Sequence, residues 1–221
     1  MYIGEMNKII KTFCVLTISL MWNSFSASAQ DRAGDFDYYV LALSWSPNWC
    51  EREGDSRNSP QCDPSEDFGF VVHGLWPQYE NGWPANCRSS HRDPSRAQTR
   101  DMADIMGSSG SAWHQWKKHG RCSGLSSVDY YELMREAFAE VTRPEVLRQI
   151  DRAMAVAPLV VEDAFLEQNE ELDPDEITIT CRSGQLQEAR ICMDKDLEYR
   201  TCGQDVIRDC GAKPVEILPI R

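Results

Sequence analysis

No C-x-x-C pair occurs anywhere in the 221 residues, and that absence removes the usual ligand spacing of a structural zinc site. No stretch beyond residue 29 approaches the about 18 apolar residues that a membrane-spanning helix needs. No Pro/Gly/Ser linker, internal repeat or low-complexity tract marks a boundary, so residues 30–221 read as one domain. Positive charge is short as well: 23 Lys and Arg stand against 35 Asp and Glu, a net charge of −12. So acidic a chain does not coat a polyanion with its whole surface; any phosphate chemistry needs a local basic pocket. Histidine is scarce too, with only four in the chain, His73, His91, His114 and His119.

What is present begins with an export signal. Lys8 and Lys11 give a basic start, FCVLTISLMW at 13–22 an apolar run, and Ser26-Ala27-Ser28-Ala29 small residues for cleavage after Ala29. Residues 1–29 are thus expected to be removed, leaving no membrane segment and a periplasmic or secreted product. Losing Glu5, Lys8 and Lys11 makes the mature chain one unit more negative. Of nine cysteines, Cys14 leaves with the leader. The remaining even set in an oxidising compartment reads as four disulfides, although spacing alone allows about a hundred pairings.

Residues 36–46, FDYYVLALSWS, alternate bulky and smaller side chains and predict a core strand with Tyr39, Leu41, Leu43 and Trp45 on one face. The polar segment 50–66 reads as loop. FGFVV at 68–72 predicts a second strand ending at His73-Gly74, and 77–96, with three prolines, a long surface loop. Helical spacing follows over 127–141, with Tyr130, Leu133, Met134, Ala137 and Phe138 on one stripe. A second helix is expected through Val146, Ile150 and Met154, entered by a capping box of Thr142 and Glu145, and a third over 161–169. EITIT at 176–180 returns to strand, paired with 187–193 through Arg182-Ser183-Gly184. Strands first, helices in the middle and strands last predict an α+β fold, a mainly antiparallel sheet flanked by helices and stapled by disulfides.

Three of the four histidines fall into two tryptophan-rich stretches, FVVHGLWPQY at 70–79 and WHQWKKHGRC at 113–122. On a helix advancing about 100° per residue, setting His114 at zero puts Lys118 at about 40°, Gln115 at about 100° and His119 at about 140°. Two imidazoles, an ammonium and an amide then share one face, with Trp113 and Trp116 packed behind it and Gly120 stopping the helix. Metal-binding helical histidines stand four apart; these stand five apart with a lysine between them, so an anion such as phosphate suits the face better. His73, followed by Gly74, supplies a second imidazole from a separate element. Imidazole titrates near neutrality, so such a set can hold an acid and a base together. Trp76 offers a flat face to a base. The polar loop around His91, with Arg88, Arg92 and Arg96, reads equally as a solvated loop or as a basic rim.

FVVHGLWP and WHQWKKHGRC resemble the two active-site segments of the ribonuclease T2 family of exported acid endoribonucleases. YYVLALSWSP near the start, the cysteine count and ITITC at 177–181 extend the likeness over most of the mature chain. The resemblance implies metal- and cofactor-independent cleavage of single-stranded RNA to 2′,3′-cyclic phosphate and 5′-OH ends. It implies His119 as general base, His73 as general acid, and His114 and Lys118 as holders of the phosphate. It further implies a base site at Trp76 and Gln78, with Tyr79 nearby, and disulfides Cys50–Cys62, Cys87–Cys122, Cys181–Cys210 and Cys192–Cys202. DNA, lacking the 2′-OH, should not be cut, and a monomer is the default. One position departs: the family usually has glutamate where this chain has Gln115, which implies a modest loss in rate or a shifted pH profile. A scaffold that binds or stores RNA with weakened turnover is the rival reading.

Overall fold

The computed structural model describes residues 31–221; the expected leader at 1–29, with Cys14, lies outside them. Six strands form one sheet: β1 (Tyr38–Trp45), β2 (Phe70–Gln78), β3 (Met154–Val156), β4 (Ile177–Arg182), β5 (Gln185–Met193) and β6 (Val215–Ile217). Their order is β2-β1-β5-β6-β3, with β4 on β5, and every pairing is antiparallel except β5 with β6. Among the described residues seven α-helices accompany them: α1 (Ser46–Trp49), α2 (Arg96–Asp101), α3 (Ala103–Met106), α4 (Ser109–Lys118), α5 (Ser127–Glu140), α6 (Glu145–Arg148) and α7 (Pro158–Gln168). This is the α+β single domain expected.

The alternation within β1 divides the sheet into two faces. Tyr39, Leu41, Leu43 and Trp45 join the main core with Val72, Leu75, Trp116, Tyr130 and Phe165. On the opposite face stand Val40, Ala42 and Ser44, small residues with neighbours from both flanking strands. Ala42 is paired with Gly74 and Arg190, and Ser44 with Val71 and Glu188. Because these side chains are short, longer groups of β2 and β5 can meet above β1. The Tyr130 hydroxyl donates to the Leu75 carbonyl at 2.7 Å, fastening α5 beneath β2.

The disulfides are Cys50–Cys62, Cys87–Cys122, Cys181–Cys210 and Cys192–Cys202. The β4–β5 hairpin turns through Ser183 and Gly184, both at positive φ, which matches the twist of the strands it joins.

Several local expectations are corrected. Segment 50–66 is a chain of short helical turns continuing from α1, not plain loop. The helix expected through Val146, Ile150 and Met154 lasts only from Glu145 to Arg148, and its N-cap is Pro144 with no side-chain cap. Val146 is 61% and Met154 40% exposed, so that stripe buries little, while Met154 gains a ladder partner in Ile217. The backbone of Thr142 is bonded to Asn169 instead of forming a capping box. β2 is also longer than expected, running past His73 to Gln78.

Candidate active site

His73 sits in the middle of β2, at an irregularity. The register with β1 slips between Ala42, opposite Gly74, and Leu43, opposite Val72, so His73 has no partner residue. Such a bulge re-aims one side chain, and His73 is exposed in the interior of a mostly buried strand. Its Nδ1 lies 2.6 Å from Oε1 of Glu188, reached across β1. The Arg190 guanidinium holds the other carboxylate oxygen at 2.8–2.9 Å. Burial pushes the Glu188 carboxyl up, but His73 and Arg190 outweigh it and hold it down at about 2. An ionised carboxylate only accepts, so Nδ1 is the donor and Nε2 is left for a ligand. The spacing of Glu188 and Arg190 on one face of β5 was the available signal for this pair, and the sequence reading passed over it.

Helix α4 starts at Ser108, whose hydroxyl accepts from the Ser111 amide. It stops where expected, with His119 as the C-cap and Gly120 just beyond it opening a short 3₁₀ turn. Asn86 donates to the Lys118 carbonyl and Cys87 is bridged to Cys122, so the long loop is tied to this helix end. His114 and Lys118 are exposed on α4, while Gln115 and His119 are buried. Trp116 is fully buried and donates to Asp93 at 2.8 Å. Trp113, expected beside it, is instead 39% exposed.

His119 Nδ1 is buried without a partner, which leaves Nε2 as the nitrogen that reaches the cavity. Burial first, then the charges of Lys118, His73 and His114, pull this imidazole down from 6.5 to about 3. The same kinds of cause lower His114, burial ahead of Lys118 and His73.

Trp76 joins the two segments. Its ring stacks on His119 at 5.3 Å and 29°, meets His73 edge-on at 5.2 Å, and has Arg190 5.3 Å from its centroid. Its Nε1 donates to Gln115 Oε1 at 2.9 Å. The indole expected to be free for a base is therefore already engaged by protein groups. Gly74 leaves room for that bond: a Cβ there would collide with Trp76 Nε1 and Gln115 Oε1.

One cavity of about 350 Å³ collects His73, Trp76, Gln78, His114, Lys118 and His119, together with Gln115, Glu188 and Arg190. Gln78 is buried at its wall, whereas Tyr79 packs against the main core. His91 stays on the exposed loop, its amide bonded to Ser89. A buried neutral imidazole, a carboxylate-held imidazole and an ammonium group around one cavity can take a proton, give one and hold an anion.

Residues 36–202 match the family model described as the Ribonuclease T2 family. The chain belongs to that family. Over 138 residues it is 41% identical to a "Ribonuclease" of Aeromonas hydrophila, a match covering 62% of this chain and 61% of that protein. The T2 fold is equally visible in solved structures. An RNase-related protein from Calystegia sepium superposes with a TM-score of 0.67 at 21% identity, over 83% of this chain and 97% of that one. RNase NT, solved in complex with 5′-AMP, superposes with a TM-score of 0.56 at 18% identity, over 84% and 98%.

Proposed function

We propose that this T2-family chain is an endoribonuclease that cleaves single-stranded RNA by transphosphorylation, with no metal or cofactor required. The observation that carries the reading is the placement of His73 and His119 on one cavity wall system, both packed against the Trp76 ring, with Lys118 and His114 beside them. His119 is held neutral, so Nε2 accepts the proton of the ribose 2′-OH. The 2′-oxygen attacks the adjacent phosphorus, and Lys118 and His114 offset charge on its non-bridging oxygens. As the P–O5′ bond breaks, Nε2 of His73 delivers its proton to the departing oxygen. The products are a 2′,3′-cyclic phosphate and a 5′-OH, and water can reopen the ring slowly with the two imidazoles exchanging roles. The nucleophile belongs to the substrate, which is why a metal-activated water is not needed.

Glu188 is a positioning residue in this scheme. It fixes the tautomer and the direction of His73, as a carboxylate does for a histidine that must hand over a proton. Trp76 orients His119 and Gln115, and Gln78 remains the residue offered to a base. Gln115 keeps the hydrogen bond to Trp76 without adding negative charge beside His119. RNA binding with weakened turnover is the second reading, and the uncharged amide at Gln115 is the observation that favours it.

The eight disulfide-bonded cysteines and the leader composition support work in the periplasm or outside the cell, by a monomer that acts on RNA and leaves DNA uncut. The test is to incubate mature protein with RNA, with DNA and with RNA carrying one 2′-deoxy residue, each in excess EDTA. Cyclic-phosphate ends on RNA alone, missing at the 2′-deoxy step, support the scheme. Binding without cleavage favours the second reading, and cleavage abolished by chelator overturns metal independence.

A further inference from the structure

Trp113 is one of the few large apolar side chains left exposed, and its surroundings explain why an acidic chain would leave it so. It lines a groove of about 460 Å³ between α2 and α4 together with Arg96 and Arg100, and no acidic residue lines that groove. The two arginines lie one helical turn apart, are both exposed, and form no ion pair among the described residues. Like charges at this spacing repel within a helix. Of the acids near them in sequence, Asp93 is bonded to Arg121 and to Trp116, Asp104 is held by Arg135, and Asp101, next to Arg100, does not line the groove. Two guanidinium groups without an ion-pair partner among the described residues, beside an open indole face, make a surface that suits one chemistry, a phosphate chain bearing flat bases.

The groove also leads somewhere. Gly110 forms part of its wall and part of a neighbouring cavity lined by His73 and His114. Nothing but the Ser108 hydroxyl, at 3.8 Å, comes near the place a Gly110 Cβ would occupy, so this rim is low. His73 and His114 belong in turn to the catalytic cavity. Three hollows thus adjoin along α4, from the proposed scissile phosphate to Trp113.

We propose that the Trp113–Arg96–Arg100 groove is an accessory RNA site that holds the substrate strand beyond the nucleotides flanking the cut, one base on Trp113 and its phosphates on the arginines. It rests on the ribonuclease reading for its purpose but not for its chemistry. The site makes long RNA a better substrate than a dinucleotide, and it gives an acidic protein a confined place to grip a polyanion. Arg96→Gln/Arg100→Gln and Trp113→Ala variants are compared with wild type on a dinucleoside phosphate and on unstructured RNA about 20 nucleotides long, well beyond one cavity. On the long substrate KM rises about 5- to 20-fold, and the double arginine variant loses about 1.4 from the log–log salt slope, about 0.7 per phosphate contact. On the dinucleoside phosphate kcat/KM stays unchanged. Equal effects on both substrates, or none on the long one, overturn the proposal. Anisotropy of a labelled 2′-O-methyl RNA of the same length gives a readout free of cleavage. Wild type that binds it, with the variants weakened, supports the groove even if no RNA is cut; cleavage with unchanged binding in the variants overturns the groove and leaves the enzyme standing.

Discussion

His73 Nδ1 and Glu188 Oε1 meet at 2.6 Å across an intervening strand, with 44% of the imidazole side chain exposed and 2% of the carboxylate. An exposed proton carrier is thereby anchored to a buried charge. Glu188→Gln keeps the shape but offers an amide that cannot enforce the same tautomer. Its kcat is expected to fall about 10- to 100-fold, less than the loss of the general acid itself would cost, with KM nearly unchanged and the pH profile altered. Steady-state kinetics across pH check this; a change in KM alone would make Glu188 a binding group.

The same carboxylate sets part of the acid stability. Its folded value of about 2 lies below the ordinary 4.5, so its contribution is complete above about pH 4.5 and is lost as pH falls toward 2. His119, depressed from 6.5 to about 3, acts in the same direction: below pH 6.5 the unfolded chain takes up a proton that the fold refuses. Urea midpoints are expected to fall between pH 6.5 and 3 and to keep falling toward pH 2. A His119→Gln variant should lose the upper part of that slope.

Removing positive charge from beside His119 should make it more basic. Lys118→Met and Gln115→Glu both raise the His119 value, the first by deleting a repelling ammonium and the second by adding an attracting carboxylate. NMR titration of the imidazole checks the shift, and the acid limb of kcat/KM should move to higher pH with it. Gln115→Glu with an unmoved acid limb would show that Gln115 does not sense the base.

Gly74→Ala inserts a methyl group between Trp76 and Gln115, against both partners of their hydrogen bond. A large loss of kcat is expected with a normal circular dichroism spectrum. Trp76→Phe keeps the stack on His119 and removes only that bond, so kcat should fall about 5-fold, the worth of about 1 kcal/mol. If dinucleotide KM rises instead while kcat holds, Trp76 serves the base after all.

Breaking Cys87–Cys122 frees the loop that holds Lys118 and His119 in place. The double Ala variant is expected to lose about 2–4 kcal/mol in denaturant titration. It should also lose more activity than a Cys50–Cys62 double variant, whose bridge ties down the turns after α1.

How much of this was legible in the chain differs from residue to residue. The faces of β1, the β4–β5 hairpin, α5 and the gathering of His114, Gln115, Lys118 and His119 could be read because period and composition report burial directly. His73 was found by type but misplaced, since a bulge is a relation between two strands and leaves no trace in one. Glu188 was missed because its partner lies 115 residues away and a charged residue in a strand ordinarily reads as solvent-facing. Trp113 was placed in the core because tryptophan usually belongs there; only the groove between α2 and α4 gives its exposure a reason. The truncated α6 shows strand pairing at Met154 overriding a weak helical stripe.

The division of labour between the two imidazoles can be measured on RNA whose scissile 5′-oxygen is replaced by sulfur, a leaving group that needs no proton. His73→Ala is expected to cut this substrate at close to the wild-type rate while failing on ordinary RNA, and His119→Ala to fail on both. If His73→Ala is equally impaired on the sulfur substrate, His73 is not the acid, and the two-imidazole scheme is wrong.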